Sequence, residues 1–582
     1  MPTKDFLLCL GASGECAGLI LDALNENFHV IALGLDEEQC LQEILGAPAF
    51  YQNAALRDNT VIISLSPEEI LALHNKEQGY QLLARKVIAQ LKESPKVNST
   101  NHSFECYQYL DPNSKDYPAP NLSALKQSAQ KFFNCQDISY EHSQELLREL
   151  KLVVLSHVNL IDDELNEHIA RIFAIKGILP SPIGFMIKHV GKLNDKLHTA
   201  GISEHCALTF ADKKRVYELL RAQGANCAEQ LCLSEDEVLS SKRLALIAPL
   251  SSQVGYPLIV KPRFGSGSRH VTVVNNEQEL EQALAKIASL ITNKRITGQD
   301  LFVYDMLVER YIKHEIELTV NGIIKDGKII VALALDKIVM SALPYRQEVA
   351  YSTNLLPDFM RQAVIAELEK VAAALQIDNS AIMSDMIIEL DDPYSNLPTS
   401  QRGQYDPCAL EDSFSKRHSY DDYRDIKVYA VDTAGRHTGY YLHSTFAAAN
   451  HSLIPYFLKY VIAQQDGGFK EMEAVNNSLR EHNYVQHFFT LQIGTISSVP
   501  SKEYLLELIA KTLGYQGAQK RSCALEHIAY FKCLLSPGMV ITTKILSNGA
   551  LTSLGYIVLK DVPERQAIAI NEAFSQAIVY HS

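Results

Sequence analysis

Short apolar runs alternate with amphipathic stretches along the first part of the chain. FLLCLGASG, ECAGLILDALNEN and FHVIALGLD, over residues 5 to 33, read as strand, helix and strand, the βαβ opening of a doubly wound half-domain. VIISLS at 61–66 and LVVLSHV at 152–158 continue that pattern on either side of a polar, proline-spotted stretch, 94–122, expected as a loop or insertion. Residues 159–205 turn helical. FADKKRVYELLRAQG at 210–224 predicts a helix with Val216, Leu219 and Leu220 as its apolar positions and Gly224 as its C-cap. GYPLIVKPRFGSGSRHVTVV at 255–274 then reads as a strand, a glycine-serine loop and a second strand.

Further along, the stretch from Leu301 to Val339 predicts three strands, with turns at Asn321-Gly322 and at Lys325-Asp326-Gly327. AIMSDMIIEL and IKVYAVDTAGRHTG predict two more strands, and a helix is expected over 358–375 between the first of these and the strands before it. Residues 391–426 are rich in Asp, Ser, Tyr and Pro without apolar periodicity, as in a long loop near the site or a disordered insertion. Helical stretches follow over 450–485. Residues 488–582 read as a separate small α/β unit, with VITTKIL and LGYIVL forming a hairpin about Ser547-Asn548-Gly549 and a closing helix over 563–578.

The chemistry-bearing residues concentrate in the 255–274 stretch. Gly265 and Gly267 let successive backbone N–H groups face one concavity, Ser266 and Ser268 add hydroxyl donors, and Lys261, Arg263 and Arg269 supply positive charge. That composition suits a phosphate. The spacing is neither the GxxxxGK[ST] loop nor a dinucleotide fingerprint, and Gly11, Gly14 and Gly18 near the N-terminus do not make one either. In AIMSDMIIEL the period of two places Asp385 and Glu389 on one face, about 13 Å apart and too distant to share an ion. Pairing of that strand with IKVYAVDTAG would let Asp385 and Asp432 bracket one or two Mg2+ ions; otherwise both are exposed strand-end carboxylates. Histidines 168, 189, 198 and 205 lack metal-ligand spacing or a carboxylate partner pattern and read as surface or satisfied residues.

Taken in order, these segments resemble the ATP-grasp carboxylate-amine ligases, most closely the L-amino-acid ligase type, over roughly residues 205–450. The resemblance implies an ATP-grasp fold, α/β with mixed sheets, behind an N-terminal Rossmann-like domain at 1–205. It implies an ATP-grasp domain at 206–486, with its flap subdomain at about 212–310, and a small C-terminal α/β domain at 487–582. It further implies that Lys213, in the "DKxxxxxxLxxxG" helix, reaches the α-phosphate, and that Lys261 and the flap grip ATP. The segment Val308 to Ile312 would meet adenine through its backbone, with Glu309, Tyr311, Ile312 and Glu317 as the cofactor contacts. Lys313, His314 and Glu315 replace the glycine usual before the second glutamate, so Glu309 and Glu317 both stay candidates for the ribose. Asp432, Arg436 and Gly439 match the family's metal-and-arginine pattern, with aspartate for glutamate and Ala434 for asparagine. Arg436 is the cation expected at the transferred phosphoryl group, and Arg346 is a candidate for gripping a substrate carboxylate. The implied reaction activates a carboxylate, an amino acid by this resemblance, as an acyl phosphate for an amine, with ATP and Mg2+ as cofactors. A non-catalytic ATP-sensing module and a bicarbonate-using carboxylase or carbamoyl-phosphate enzyme are the alternatives.

Bulk properties fit a small-molecule enzyme. The formal charge of −14 argues against a nucleic-acid or anionic-membrane binder. Eleven cysteines without CxxC spacing suggest reduced thiols, and no apolar run nears the roughly 18 residues of a membrane span, so the expected location is the cytoplasm. Association into a homodimer is left open.

Overall fold

The computed structural model describes residues 5–11, 14–34, 60–93, 138–265, 270–297, 302–312, 316–340, 347–353, 358–390, 426–437, 452–465, 484–533, 535–542 and 554–581. The expected insertion at 94–122 and that at 391–426 up to its last residue, with Arg346, Ser266, Gly267, Ser268, Arg269, Gly439 and the turn at Ser547-Asn548-Gly549, lie outside them. Four sheets organise the described residues.

The first sheet is wholly parallel, with β1 (Phe6–Leu10), β2 (His29–Leu33), β3 (Thr60–Ser64), β4 (Leu152–Ser156) and β5 (Gly177–Ile178) in the order β3-β4-β2-β1-β5. β1, β2 and β4 are buried along their whole length, which is why they read as continuous apolar runs. The helix Gly14–Asn25 links β1 to β2, as the opening pattern predicts.

A four-stranded sheet follows, with β6 (Gln230–Leu233), β7 (Leu258–Pro262), β8 (Thr272–Val274) and β9 (Met306–Arg310) in the order β6-β9-β7-β8. β7 and β8 are antiparallel, with Leu258 opposite Val274, so the strand-loop-strand reading of 255–274 holds. The long helix Glu277–Thr297 covers this sheet, and Leu280, Leu284, Ile287 and Ile291 are its buried positions.

The third and largest sheet carries β10 (Ile316–Lys325), β11 (Lys328–Met340), β12 (Gln347–Thr353), β13 (Ser380–Leu390), β14 (Ile426–Ala434), β15 (Tyr484–Phe488), β17 (Ile528–Cys533) and β19 (Gly555–Lys560). Its order is β14-β13-β10-β11-β12-β15-β19-β17. A small fourth sheet joins β16 (Gly494–Ser498), β18 (Val540–Ile541) and β20 (Val579–His581).

One turn and one strand pairing differ from expectation. Asn321-Gly322 lies inside β10, where Asn321 is fully buried between Leu333 of β11 and Met383 of β13. Gly322 serves packing there: a Cβ would stand 2.7 Å from the Val331 carbonyl oxygen. The β10–β11 turn is made at Asp326-Gly327, both at positive φ (51° and 73°), as a two-residue hairpin requires. In the C-terminal stretch β18 pairs with β16, while β19 sits between β15 and β17, so the two do not form a hairpin. That stretch keeps a core of its own around Phe489, Phe531 and Phe574, but β17 and β19 extend the large sheet instead of building a separate one.

One apolar core runs from Leu8, Ile31 and Val153 of the parallel sheet through Phe210 and Val216 to Leu318, Met386 and Ala430 of the large sheet. The sheets are thereby locked by shared burial, and the space between the large and four-stranded sheets is where the charged residues gather.

Candidate ATP site

The helix Lys213–Ala222 begins at Asp212, whose carboxylate accepts from the Arg215 backbone N–H and caps the helix. The same carboxylate accepts from Arg263 Nε at 2.8 Å and Nη2 at 2.6 Å, while Arg263 Nη1 donates to Asp305 at 3.3 Å. The Asp212 pair holds the Arg263 guanidinium above its ordinary pKa despite some burial. Arg263 therefore works as a strut between the helix start and the four-stranded sheet, with most of its donors committed. The strut places Lys213, whose N–H donates to the Arg263 carbonyl and whose Nζ donates to the Gly265 carbonyl at 2.7 Å. Lys213 Nζ is also 4.0 Å from Asp432.

Lys261, on β7, is almost wholly buried. Burial by itself would lower its pKa; the Glu309 carboxylate at 2.8 Å and the Tyr217 hydroxyl outweigh that and hold the ammonium charged. Nζ donates to Tyr217 Oη at 3.0 Å, and Tyr217 Oη donates to the Val431 carbonyl at 3.0 Å. That carbonyl is available because of a register shift in the β13–β14 ladder: Asp385 pairs with Asp432 and Met386 with Ala430, leaving Val431 as the extra residue. Such a bulge re-aims backbone groups beside a site. Glu309 spends one oxygen on Lys261, and its Oε2 is buried with no hydrogen-bond partner among the described residues.

β9 is flanked on both sides, by β6 and β7, through Arg310. The Tyr311 N–H reaches the Pro257 carbonyl at 3.4 Å, and Ile312 is buried with Ala228, Ile387 and Tyr429. Of the expected adenine segment, only its end at Tyr311–Ile312 leaves the ladders.

Asp385 and Asp432 stand opposite each other on β13 and β14, with Thr319 of β10 opposite Asp385 on the other side, so the three occupy one face of the large sheet. Asp432 is half exposed, and Asp385 accepts from Lys337 Nζ at 2.8 Å. Glu389 is drawn away to Arg310, 3.4 Å distant, near Lys427 in the ladder. Glu317, buried on β10, lies 3.6 Å from Lys337 Nζ. Lys337 was not among the residues singled out from the sequence. A lone lysine in the apolar run VALALDKIV is the available signal, since a buried cation demands carboxylates on neighbouring strands.

Arg436, just beyond β14, donates from Nη1 to the carbonyls of Pro182 (3.1 Å) and His437 (2.7 Å), and its Nε is buried without a partner among the described residues. It is thus held against the loop that follows β5. Of the histidines read as satisfied, His189 fits, with Nδ1 2.6 Å from Asp163 Oδ1. His168 also has a carboxylate beside it, Glu164 at helical spacing and 3.8 Å away, so for both the expected lack of a carboxylate partner is corrected.

A hard divalent cation fits the Asp385–Asp432 pair: two carboxylates from adjacent strands supply oxygen donors of the kind Mg2+ takes, while Ala434 supplies none.

Residues 254–391 match the ATP-grasp domain family. Among solved structures, the L-amino acid ligase from Bacillus licheniformis is similar over 100% of both chains at 12% identity, with a TM-score of 0.55. The ADP complex of N5-carboxyaminoimidazole ribonucleotide synthetase is similar over 99% of this chain and 97% of that one at 9% identity, with a TM-score of 0.50. No curated protein matches the sequence. Residues 254–391, from just before β7 to just past the end of β13, thus carry an ATP-grasp domain, and the chain as a whole shares its fold with these two structures.

Proposed function

We propose that the protein is an ATP-dependent carboxylate-amine ligase that joins an amino-acid carboxylate to an amine and releases ADP and phosphate. The observation that carries this reading is the register of β13 and β14, which sets Asp385 opposite Asp432, whose Oδ1 lies 4.0 Å from Lys213 Nζ. Carboxylates and ammonium groups gathered at one place suit phosphoryl transfer, which needs positioning and charge neutralisation more than a covalent nucleophile.

In this reading Lys213 and Lys261 hold phosphate oxygens, and the end of β9 at Tyr311–Ile312 receives the base. Asp385 and Asp432 hold Mg2+, which would neutralise charge on the phosphates. A substrate carboxylate oxygen attacks the γ-phosphorus, the bond to the ADP oxygen breaks, and the acyl phosphate forms. The amine then adds to the acyl carbon, loses a proton and expels phosphate. Arg436, on the side of the loop after β5, stabilises charge on the transferring group. Arg346 stays assigned to a substrate carboxylate, and the division into regions 1–205, 206–486 and 487–582 is kept as the proposed domain plan.

The test incubates the full chain with Mg2+, ATP and pools of amino acids, following phosphate release and searching by mass spectrometry for condensation products. Substrate-dependent phosphate with an amide product is the expected result. AMP and pyrophosphate would reject the mechanism. Bicarbonate-dependent ADP release would reassign the acid, and ATP binding without turnover would favour a sensing role, the reading that the altered Asp432 and Ala434 support.

A further inference from the structure

Away from the ATP site, His74, Glu164 and His168 converge on the flank of the parallel sheet. Glu164 and His168 are one helical turn apart on the helix Asp163–Phe173, so their side chains share a face, and His168 Nε2 is 3.8 Å from Glu164 Oε1. His74 reaches them from the turn after the helix Pro67–Ala72, its ring centroid 5.0 Å from that of His168. One ligand atom from each residue lies within 4.8 Å of the other two. His74 Nδ1 is buried and has no hydrogen-bond partner among the described residues.

We infer that these three residues form a binding site for a divalent transition-metal ion of the Zn2+ class, distinct from the Mg2+ pair at Asp385 and Asp432. Two imidazoles and a carboxylate are the ligand set of a three-residue zinc site, with the fourth position left to water. Tetrahedral bonds of about 2.0–2.1 Å put neighbouring ligand atoms roughly 3.4 Å apart, so small side-chain rotations close the present spacing. Imidazole nitrogen selects against Mg2+, which prefers an all-oxygen octahedron, so millimolar Mg2+ does not compete. An ordinary surface cluster would also leave Glu164 in water, as here. It would not explain a second imidazole turned toward the Glu164–His168 pair with a buried, unbonded ring nitrogen. Bound metal would tie the turn at His74 to the helix Asp163–Phe173.

The test titrates Zn2+ into tag-free, chelator-stripped full-length protein by calorimetry with Mg2+ and ATP present. Co2+ is used in parallel as a spectroscopic probe. One zinc per chain is expected, together with the strong visible absorption of tetrahedral Co2+. His74→Ala and His168→Ala should each weaken zinc binding by more than about tenfold, since even outer partners of metal ligands are worth about 10–100-fold. Asp385→Asn should leave it unchanged. Should either histidine variant fail to fold, the Co2+ spectrum of the unmodified protein and its loss in Glu164→Gln carry the decision. Absence of stoichiometric zinc, a six-coordinate Co2+ spectrum, or zinc affinity insensitive to these substitutions would overturn the assignment.

Discussion

Lys261 and Glu309 illustrate how one residue can serve both the fold and the site. Both are nearly inaccessible and 2.8 Å apart, so removing either strands the other as an unpaired charge. Lys261→Met should therefore cost about 3–5 kcal/mol in urea unfolding, and adding Glu309→Gln should recover much of it. ATP affinity, measured by calorimetry, should fall about tenfold or more in both variants, because the ammonium is gone from each. Recovery of affinity along with stability would mean that Lys261 does not touch the nucleotide. The carboxylates of β13 separate in the same way. Asp385→Asn should lower Mg2+-dependent phosphate release about 100-fold, on the scale of losing one charge-stabilising group, with folding intact. Glu389→Gln, which only loosens a contact to Arg310, should do much less. The reverse order would move the metal to Glu389.

At the scale of elements, β10 is the strand on which the site is built, since it pairs with β11 on one side and β13 on the other. Its Gly322 has the Val331 carbonyl oxygen where a Cβ would go. Gly322→Ala should destabilise the protein by about 1–3 kcal/mol, as overpacking does, and chemical denaturation would measure it. A neutral effect would indicate a turn at this position. An Asn-Gly pair reads as a turn from local propensity. Here the long apolar stretches on either side and the demand for close strand packing override that propensity. The bulge at Val431 was equally unreadable, because it exists only in the register between two strands, separated in the sequence by a long polar stretch.

Across the whole molecule, the large sheet takes in strands from the far end of the chain, and His487 of β15 is sealed inside that junction. Burial pushes its pKa down to about 4, and Nδ1 lies 2.6 Å from the Phe488 carbonyl oxygen. The unfolded chain takes up a proton near the ordinary histidine value of 6.5, which the native state refuses until about pH 4. Stability from this residue is therefore complete above pH 6.5 and is lost as the pH falls, by about 2 kcal/mol at pH 5. Unfolding of the native protein at pH 7 and pH 5 should show that loss, and His487→Gln should flatten it. An equal pH dependence in the two proteins would remove His487 as its source.

The sequence by itself determined the βαβ opening, the β7–β8 flap strands, the capped helix at Lys213 and the strands bearing Asp385 and Asp432. Each is encoded by local periodicity, capping residues or turn chemistry, which neighbouring residues settle among themselves. Tertiary structure alone decided that Asp385 faces Asp432, that Lys337 neutralises Asp385 and lies close to Glu317, and that Arg263 braces Asp212. It also decided that β19 joins the large sheet and that His74 meets His168. These are pairings between segments far apart in the chain, fixed by which apolar faces bury one another and by the need of each buried charge for a partner, and no local pattern carries that information.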